Sequence, residues 1–249
     1  MRYFLELSYD GTTYHGWQIQ KNAITVQEVL NKSLSTLLRN NIEVMGAGRT
    51  DTGVHATMMV AHFDVEKDIN GYKDFLYQLN SLLPKDVSAN KIMEVKPEGH
   101  ARFDAIRREY LYKIALKKDP FLINRAWTHL YPIDLNLMNE ACNVLKTFND
   151  FSCFAKSGTQ TKTNICKIEE AVWYEENGII IFRIKADRFL RNMVRAIVGT
   201  LLEIGKGEMD IEGLKKVIAS NDRSQAGTSV PAHGLYLSKI EYPTNIFKK

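Results

Sequence analysis

Ile42-Glu43-Val44-Met45-Gly46-Ala47-Gly48-Arg49-Thr50-Asp51-Thr52-Gly53-Val54-His55-Ala56 decides how the first half of this chain is read. Ile42–Met45 reads as a short strand and Met58–Phe63 as a second, so the glycine-rich segment between them joins two strands. Glycine accepts positive φ and lets other groups approach the backbone closely. Arg49 and Asp51 stand two residues apart on this constrained segment, which suits a catalytic carboxylate with a cationic neighbour. The same residues also suit a plain turn, where Asp is common. A dinucleotide loop does not fit: G-x-G-x-x-G needs glycine where Asp51 stands, and no Gly-Lys-Ser/Thr follows.

Working outward, Thr25-Val26-Gln27-Glu28 has the form of a capping box. Val26, Val29, Leu30, Leu34, Leu37 and Leu38 then recur at helical spacing. On the other side, Gly71 to Leu83 reads as a helix stopped by Pro84. Tyr3–Leu7 and Val87–Val95 read as outer strands. The order is β-α-β-β-α-β, the split βαβ unit.

The second half repeats this loosely. Tyr110–Leu116 reads as a strand, and Asp134 as the cap of a helix carrying Met138, Ala141, Cys142 and Leu145. Lys167–Tyr174 and Gly178–Ala186 form a hairpin around Glu175-Glu176-Asn177-Gly178. Phe189–Ile204 reads as a helix ended by Gly205. Asp210 caps a shorter helix, and Leu235–Glu241 closes as a strand. The expected class is α+β, with one unit over 1–105 and another over 106–249. No low-complexity linker separates them.

Composition sets bounds. The 249 residues are 45% hydrophobic and 25% charged, as in ordinary globular proteins. A net charge of +4 permits a polyanionic partner without demanding one. The three cysteines form no C-x-x-C pair, which argues against zinc and thioredoxin-like chemistry and fits a reducing compartment. Met1-Arg2 runs straight into a strand, no signal-peptide pattern is visible, and no apolar run of about 18 residues exists. A cytoplasmic location and no membrane partner are expected.

Further blocks accompany the Arg-Thr-Asp segment. They are Tyr9-Asp10-Gly11-Thr12-Thr13-Tyr14-His15-Gly16-Trp17-Gln18, His100-Ala101-Arg102-Phe103, Arg108-Glu109-Tyr110-Leu111-Tyr112, Phe189-Leu190-Arg191-Asn192-Met193-Val194-Arg195 and Gly234-Leu235-Tyr236-Leu237. In this order, over nearly the whole chain, they resemble the tRNA pseudouridine synthase A family. The resemblance implies two pseudo-symmetric ferredoxin-like halves. Their sheets merge into one central mixed, largely antiparallel sheet, with the active cleft between the halves. It further implies isomerisation of uridine in the anticodon stem–loop of tRNA, a homodimer, and no metal or other cofactor. Thr52 departs from the family's usual small residue. Glu109 stands where a basic residue is frequent, which weakens phosphate contact at that position.

The chemistry can be weighed against the residues. Breaking the C1′–N1 bond of uridine and joining C1′ to C5 is redox-neutral. It needs a nucleophile or charge stabiliser, a pocket for the base, and removal of the C5 proton. Asp51 suits the first role, as carboxylates do in glycosidases. A carboxylate in a partly closed pocket needs a cation to stay ionised. The resemblance assigns that cation to Arg195, whose guanidinium can pair bidentately; a solvated helix residue is the plain alternative. Arg188, Arg191 and Arg195 fall near one side of the expected helix. Tyr110 and Tyr112 share a strand face, so alternation cannot choose between them as the ring that stacks on a flipped base. The resemblance selects Tyr110, and it makes Leu235 an apolar wall for the base. It also sets Arg49 against RNA, where it keeps the base out of the stack; pairing with Asp51 is the alternative. Arg102-Phe103, Arg107-Arg108, Arg188 with Arg191, and Lys117-Lys118 are candidate phosphate contacts, or else solvated faces. Three rival readings remain open: the same chemistry on another RNA, an Asp-dependent N-glycosidase, and a non-catalytic RNA-binding protein.

Overall fold

The computed structural model describes residues 1–156, 158 and 162–248. Along the chain run β1 (Arg2–Tyr9), α1 (Val26–Leu38), β2 (Met45–Gly46), β3 (His55–Asp64), α2 (Tyr72–Leu82) and β4 (Val87–Val95). Then follow β5 (Arg107–Ala115), β6 (Trp127–Thr128), α3 (Leu135–Leu145), β7 (Ile168–Glu176), β8 (Ile179–Ala186), α4 (Met193–Gly205), α5 (Ile211–Ser220) and β9 (Leu235–Glu241). The class is α+β. Antiparallel ladders join β1 to β3 and β4, and β8 to β5 and β7. Parallel pairing joins β3 to β9 and β5 to β6.

Two compact units divide the chain: Met1–Ile106 with Tyr236–Lys249, and Arg107–Leu235. The closing segment therefore departs from the sequence reading, which kept 106–249 together. Its local bonds explain why: β9 pairs with β3 at His55↔Tyr236 and Ala56↔Leu237, and Lys96 N donates to Ile246 O. Long-range strand pairing of this kind leaves no local signature in a sequence.

In the first unit β1 lies between β3 and β4, with β9 on the far side of β3. Tyr3 meets Tyr72 of α2, and Phe4, on the opposite face, meets Tyr242 and Phe247, so both faces of β1 are covered and Tyr3, Phe4 and Leu5 are all buried, with no alternation of apolar and polar side chains. The capping box forms in part: Thr25 Oγ1 accepts from Glu28 N at 3.4 Å. Val26, Leu30 and Leu34 of α1 are fully buried. The strand expected over Ile42–Met45 shrinks to Met45–Gly46, because α1 side chains take its backbone groups instead. Ile42 N donates to Ser35 Oγ at 2.9 Å, Val44 N to Asn31 Oδ1 at 3.0 Å, and Gln27 Nε2 to Val44 O at 2.8 Å.

In the second unit β8 lies between β5 and β7, and Trp173 stacks across the ladder on Phe182 at 4.7 Å. Asp134 caps α3 by accepting from Asn136 N, and Asp210 caps α5 by accepting from Gly213 N. The late helix begins at Met193, four residues after the expected Phe189. Asn192 stands at φ +66°, a left-handed conformation that breaks the helical path. Arg188 and Arg191 consequently precede α4 and do not share its surface with Arg195. Cys142, Cys153 and Cys166 are free and buried, and burial pushes each thiol up to about 12. Among the described residues no helix is long and apolar enough to cross a membrane.

His62 gives the fold a pH dependence. It is buried on β3, Nδ1 accepts from Ala101 N at 3.1 Å, and its ring meets His100 edge-on at 4.6 Å. Burial, with Arg2 and His100 nearby, pushes it down to about 4. The folded state thus refuses a proton that the unfolded chain accepts below about pH 6.5. This contribution to stability is present above that pH and is lost as pH falls towards 4. Denaturant midpoints measured from pH 7 to 4 should fall for the parent and fall less steeply for His62→Asn. Equal slopes would show that another group controls acid sensitivity.

Candidate active site

The Asp51 segment is a built turn. Val54 N donates to Asp51 O at 3.1 Å, closing a four-residue turn, and Gly53 inside it stands at φ +77°. A side chain at Gly53 would be strained, which accounts for glycine there. Asp51 is half-buried, Thr50 is buried and Arg49 is exposed. Among the described residues Arg49 has no side-chain hydrogen bond or ion pair, so the alternative of an Arg49–Asp51 pair is not realised.

The Tyr9–Gln18 block is the backing of this turn. Trp17 N donates to Thr50 O at 3.2 Å and Gly53 N to Tyr14 O at 3.3 Å. The Tyr9 hydroxyl meets Thr50 Oγ1 at 2.9 Å in the interior. Gly16, at φ +86°, lies so close to Thr50 O that a β-carbon would collide with it. His55 follows the turn: Nδ1 accepts from Gly11 N at 3.0 Å, and the ring stacks on Tyr236 at 4.6 Å. Asp86 anchors the block from behind. It accepts from Tyr14 Oη at 2.6 Å and Thr13 Oγ1 at 3.0 Å, and its carbonyl accepts from Asp10 N at 2.9 Å. Burial and this carboxylate hold the Tyr14 phenol protonated. Nothing in the block's own residues signals this bracing role, and Asp86 carries no local pattern that would mark it in the sequence.

The second unit gathers a different set. Tyr112 is fully buried and its hydroxyl donates to Pro231 O at 2.8 Å. Arg195, half-buried on α4, donates from Nε to Val230 O at 2.7 Å. One loop thus holds both β5 and α4, and four residues after Pro231 comes Leu235, buried at the start of β9. Tyr110 is half-buried and meets Phe189 edge-to-face at 5.1 Å. The structure separates the two tyrosines that alternation could not: Tyr112 is a core residue with its hydroxyl engaged, and Tyr110 is the more accessible. Tyr112→Phe should cost about 1 kcal/mol of stability, since Pro231 O loses its donor. Thermal unfolding of the variant checks this, and an unchanged melting midpoint would contradict the assignment.

The basic candidates sort by what holds them. Arg107 Nε donates to Glu169 Oε2 at 2.6 Å, and Arg108 Nη1 to Asp187 O at 3.0 Å, so both brace neighbouring backbone or side chains of their own unit. Arg102 is exposed, its guanidinium 5.8 Å from the centre of the exposed Phe103 ring. Arg191 is exposed just ahead of α4. Lys117 and Lys118 are exposed as well.

What the geometry defines is a class: an α+β protein presenting a carboxylate on a braced turn, with accessible arginines and an aromatic ring on the same chain. The chain belongs to the tRNA pseudouridine synthase family, whose model matches residues 7–104 and 142–243. A protein of Bacteroides fragilis named tRNA pseudouridine synthase A is 52% identical over 250 residues, covering 99% of this chain and 98% of that one. Its namesake in Parabacteroides distasonis is 50% identical, with coverage of 99% and 98%. The namesake in a Thermoanaerobacter species is 40% identical over 238 residues, covering 95% and 97%. Among solved structures, the CRISPR endoribonuclease Cse3 bound to a 19-nucleotide RNA aligns at a TM-score of 0.21 and 10% identity, covering 82% of this chain and 97% of that one.

Proposed function

We propose that the protein isomerises uridine to pseudouridine in the anticodon stem–loop of tRNA, with Asp51 as the nucleophile. The observation that carries this reading is the braced turn: its backbone is fixed by the 9–17 segment while the Asp51 carboxylate stays half-buried. The C1′–N1 bond breaks, the base turns, C1′ joins C5, the C5 proton leaves, and N1 gains a proton. Attack by Asp51 at C1′ or at C6 both require a carboxylate held still, and such a turn holds its backbone in place. Arg195 is the cation assigned to oppose the buried charge, with its orientation set by the Val230 carbonyl. Tyr110 stacks on the extruded uracil and Leu235 walls it. Arg49 faces the RNA and keeps the base out of its stack. Arg102 and Arg191 contact phosphates.

The protein acts in the cytoplasm as a homodimer on this reading. Symmetric dimers are the commonest assembly. Phe121, Ile123, Leu130 and Tyr131, all strongly exposed in one segment, are side chains that a second copy would cover. The test uses an unmodified tRNA transcript carrying tritium at C5 of uridine. The reading expects tritium release to water with no free uracil. Free uracil would make the protein an N-glycosidase. Binding without either product would make it a non-catalytic RNA-binding protein.

A further inference from the structure

We propose that Phe103 is a stacking platform for an unpaired base of the RNA, distinct from the uracil that is isomerised; the proposal rests on the tRNA reading above. Phe103 is 75% exposed on the loop that follows β4. An exposed aromatic side chain is ordinary by itself. What marks this one is the series of rings behind it. Phe103 lies against His100 at 4.2 Å with the planes 33° apart, and His100 in turn meets the buried His62 edge-on at 4.6 Å. The series therefore starts in the core of the first unit and ends in solvent. Hydrogen bonds converge on the same rings. His100 Nδ1 accepts from Arg102 N at 3.1 Å and from Phe103 N at 3.3 Å. Asp104 Oδ2 accepts from His100 N at 2.6 Å, and Asp104 N donates to His100 O at 3.0 Å. Ala101 is held at both ends, its N–H by His62 Nδ1 and its carbonyl by the Tyr242 hydroxyl at 2.6 Å. Burial, with Arg2 nearby, pushes the His100 imidazole down from its ordinary value, so Nδ1 stays an acceptor at neutral pH.

All these bonds keep a large apolar ring out in water, where it adds little to the stability of the fold. A ring fixed in this way loses little freedom on meeting a ligand. A nucleobase suits it better than a protein partner. The flanking residues are the exposed Arg102 and the half-buried Asp104, so the ring does not open a broad apolar patch of the kind protein partners cover. A base supplies a π-face of matching size, and stacking accepts any base. Bases in a duplex are already stacked on both faces, so the occupant is unpaired. The Arg102 guanidinium stands 5.8 Å from the ring centre. With Arg102 on a phosphate, as assigned above, Phe103 takes a base from the same stretch of strand.

The experiment measures equilibrium binding of an unmodified tRNA transcript against salt concentration, with thermal unfolding and sedimentation of the same proteins. It uses the parent, Phe103→Ala, Phe103→Leu and Phe103→Tyr. Loss of the stack should weaken binding about tenfold in Phe103→Ala. Phe103→Leu should lose nearly as much, because leucine keeps apolar bulk without a flat face, and Phe103→Tyr should bind like the parent. The log–log slope against salt should stay parental throughout, since no phosphate contact is removed. Melting midpoints should stay parental too, because the ring is exposed. Parental affinity in Phe103→Ala or Phe103→Leu overturns the platform, and so does a lowered slope or a lowered melting midpoint in Phe103→Ala. A reduced oligomeric mass in Phe103→Ala would make the ring a contact between copies and overturn it as well. The two readings fail separately. A parent that binds tRNA but makes no pseudouridine sinks the catalytic reading and leaves the platform standing, whereas a parent that does not bind tRNA sinks both.

Discussion

Asp51→Asn is expected to lower pseudouridine formation by several orders of magnitude while the fold and tRNA affinity stay close to the parent's. Asparagine keeps the shape of the side chain but can neither attack carbon nor carry the charge. The turn should survive, because the bonds that set it run through backbone: Val54 N to Asp51 O, Trp17 N to Thr50 O, and Gly53 N to Tyr14 O. Single-turnover rates on an unmodified transcript, with circular dichroism and filter binding on the same preparation, check each half of the expectation. A rate within about tenfold of the parent would remove Asp51 from the chemistry.

The second large effect concerns Arg195. Arg195→Met should reduce the single-turnover rate by about 10²–10³, the size of loss typical when a preorganised charge is removed from a reacting centre. Arg195→Lys should recover only part of that. Lysine keeps a charge but has no counterpart of the Nε donor that fixes the guanidinium on Val230 O, and it lacks the planar fork. Rates at saturating tRNA separate this from a binding defect. An Arg195→Met enzyme that needs more tRNA but reaches the parental rate would make Arg195 an RNA-binding residue only.

Much of the scaffold could be read from local chemistry, and the exceptions have physical causes. Thr25, Asp134 and Asp210 cap helices as their sequence positions imply, since an N-cap is decided by residues within one turn. Asn177-Gly178 makes a tight hairpin turn with positive φ at both residues, again a local matter. The strand over Ile42–Met45 was misread because its partners are α1 side chains, an arrangement the apolar pattern does not encode. The start of α4 was misread because a left-handed Asn192 lies inside an otherwise helix-compatible run. The placement of β9 depends on pairing with β3, more than 170 residues away in sequence.

The candidate residues divide along the same line. Asp51 and its glycines stand together in sequence and were legible as a unit. Tyr110 and Tyr112 were not separable, because strand alternation puts both on one face, and the full burial of Tyr112 with its bond to Pro231 tells the core ring from the half-buried one. The bracing by Asp86 and the hold of Val230 on Arg195 join residues more than 30 positions apart through single hydrogen bonds, which composition and spacing cannot reveal.

The most direct test of the central claim is a map of pseudouridine in tRNA from cells that have the gene and cells that lack it. The account predicts that loss of the gene removes pseudouridine from the anticodon stem–loop. A plasmid copy of the parent should restore it, and a copy carrying Asp51→Asn should not. Pseudouridine persisting in the anticodon stem–loop without the gene, or restored by Asp51→Asn, would contradict the account.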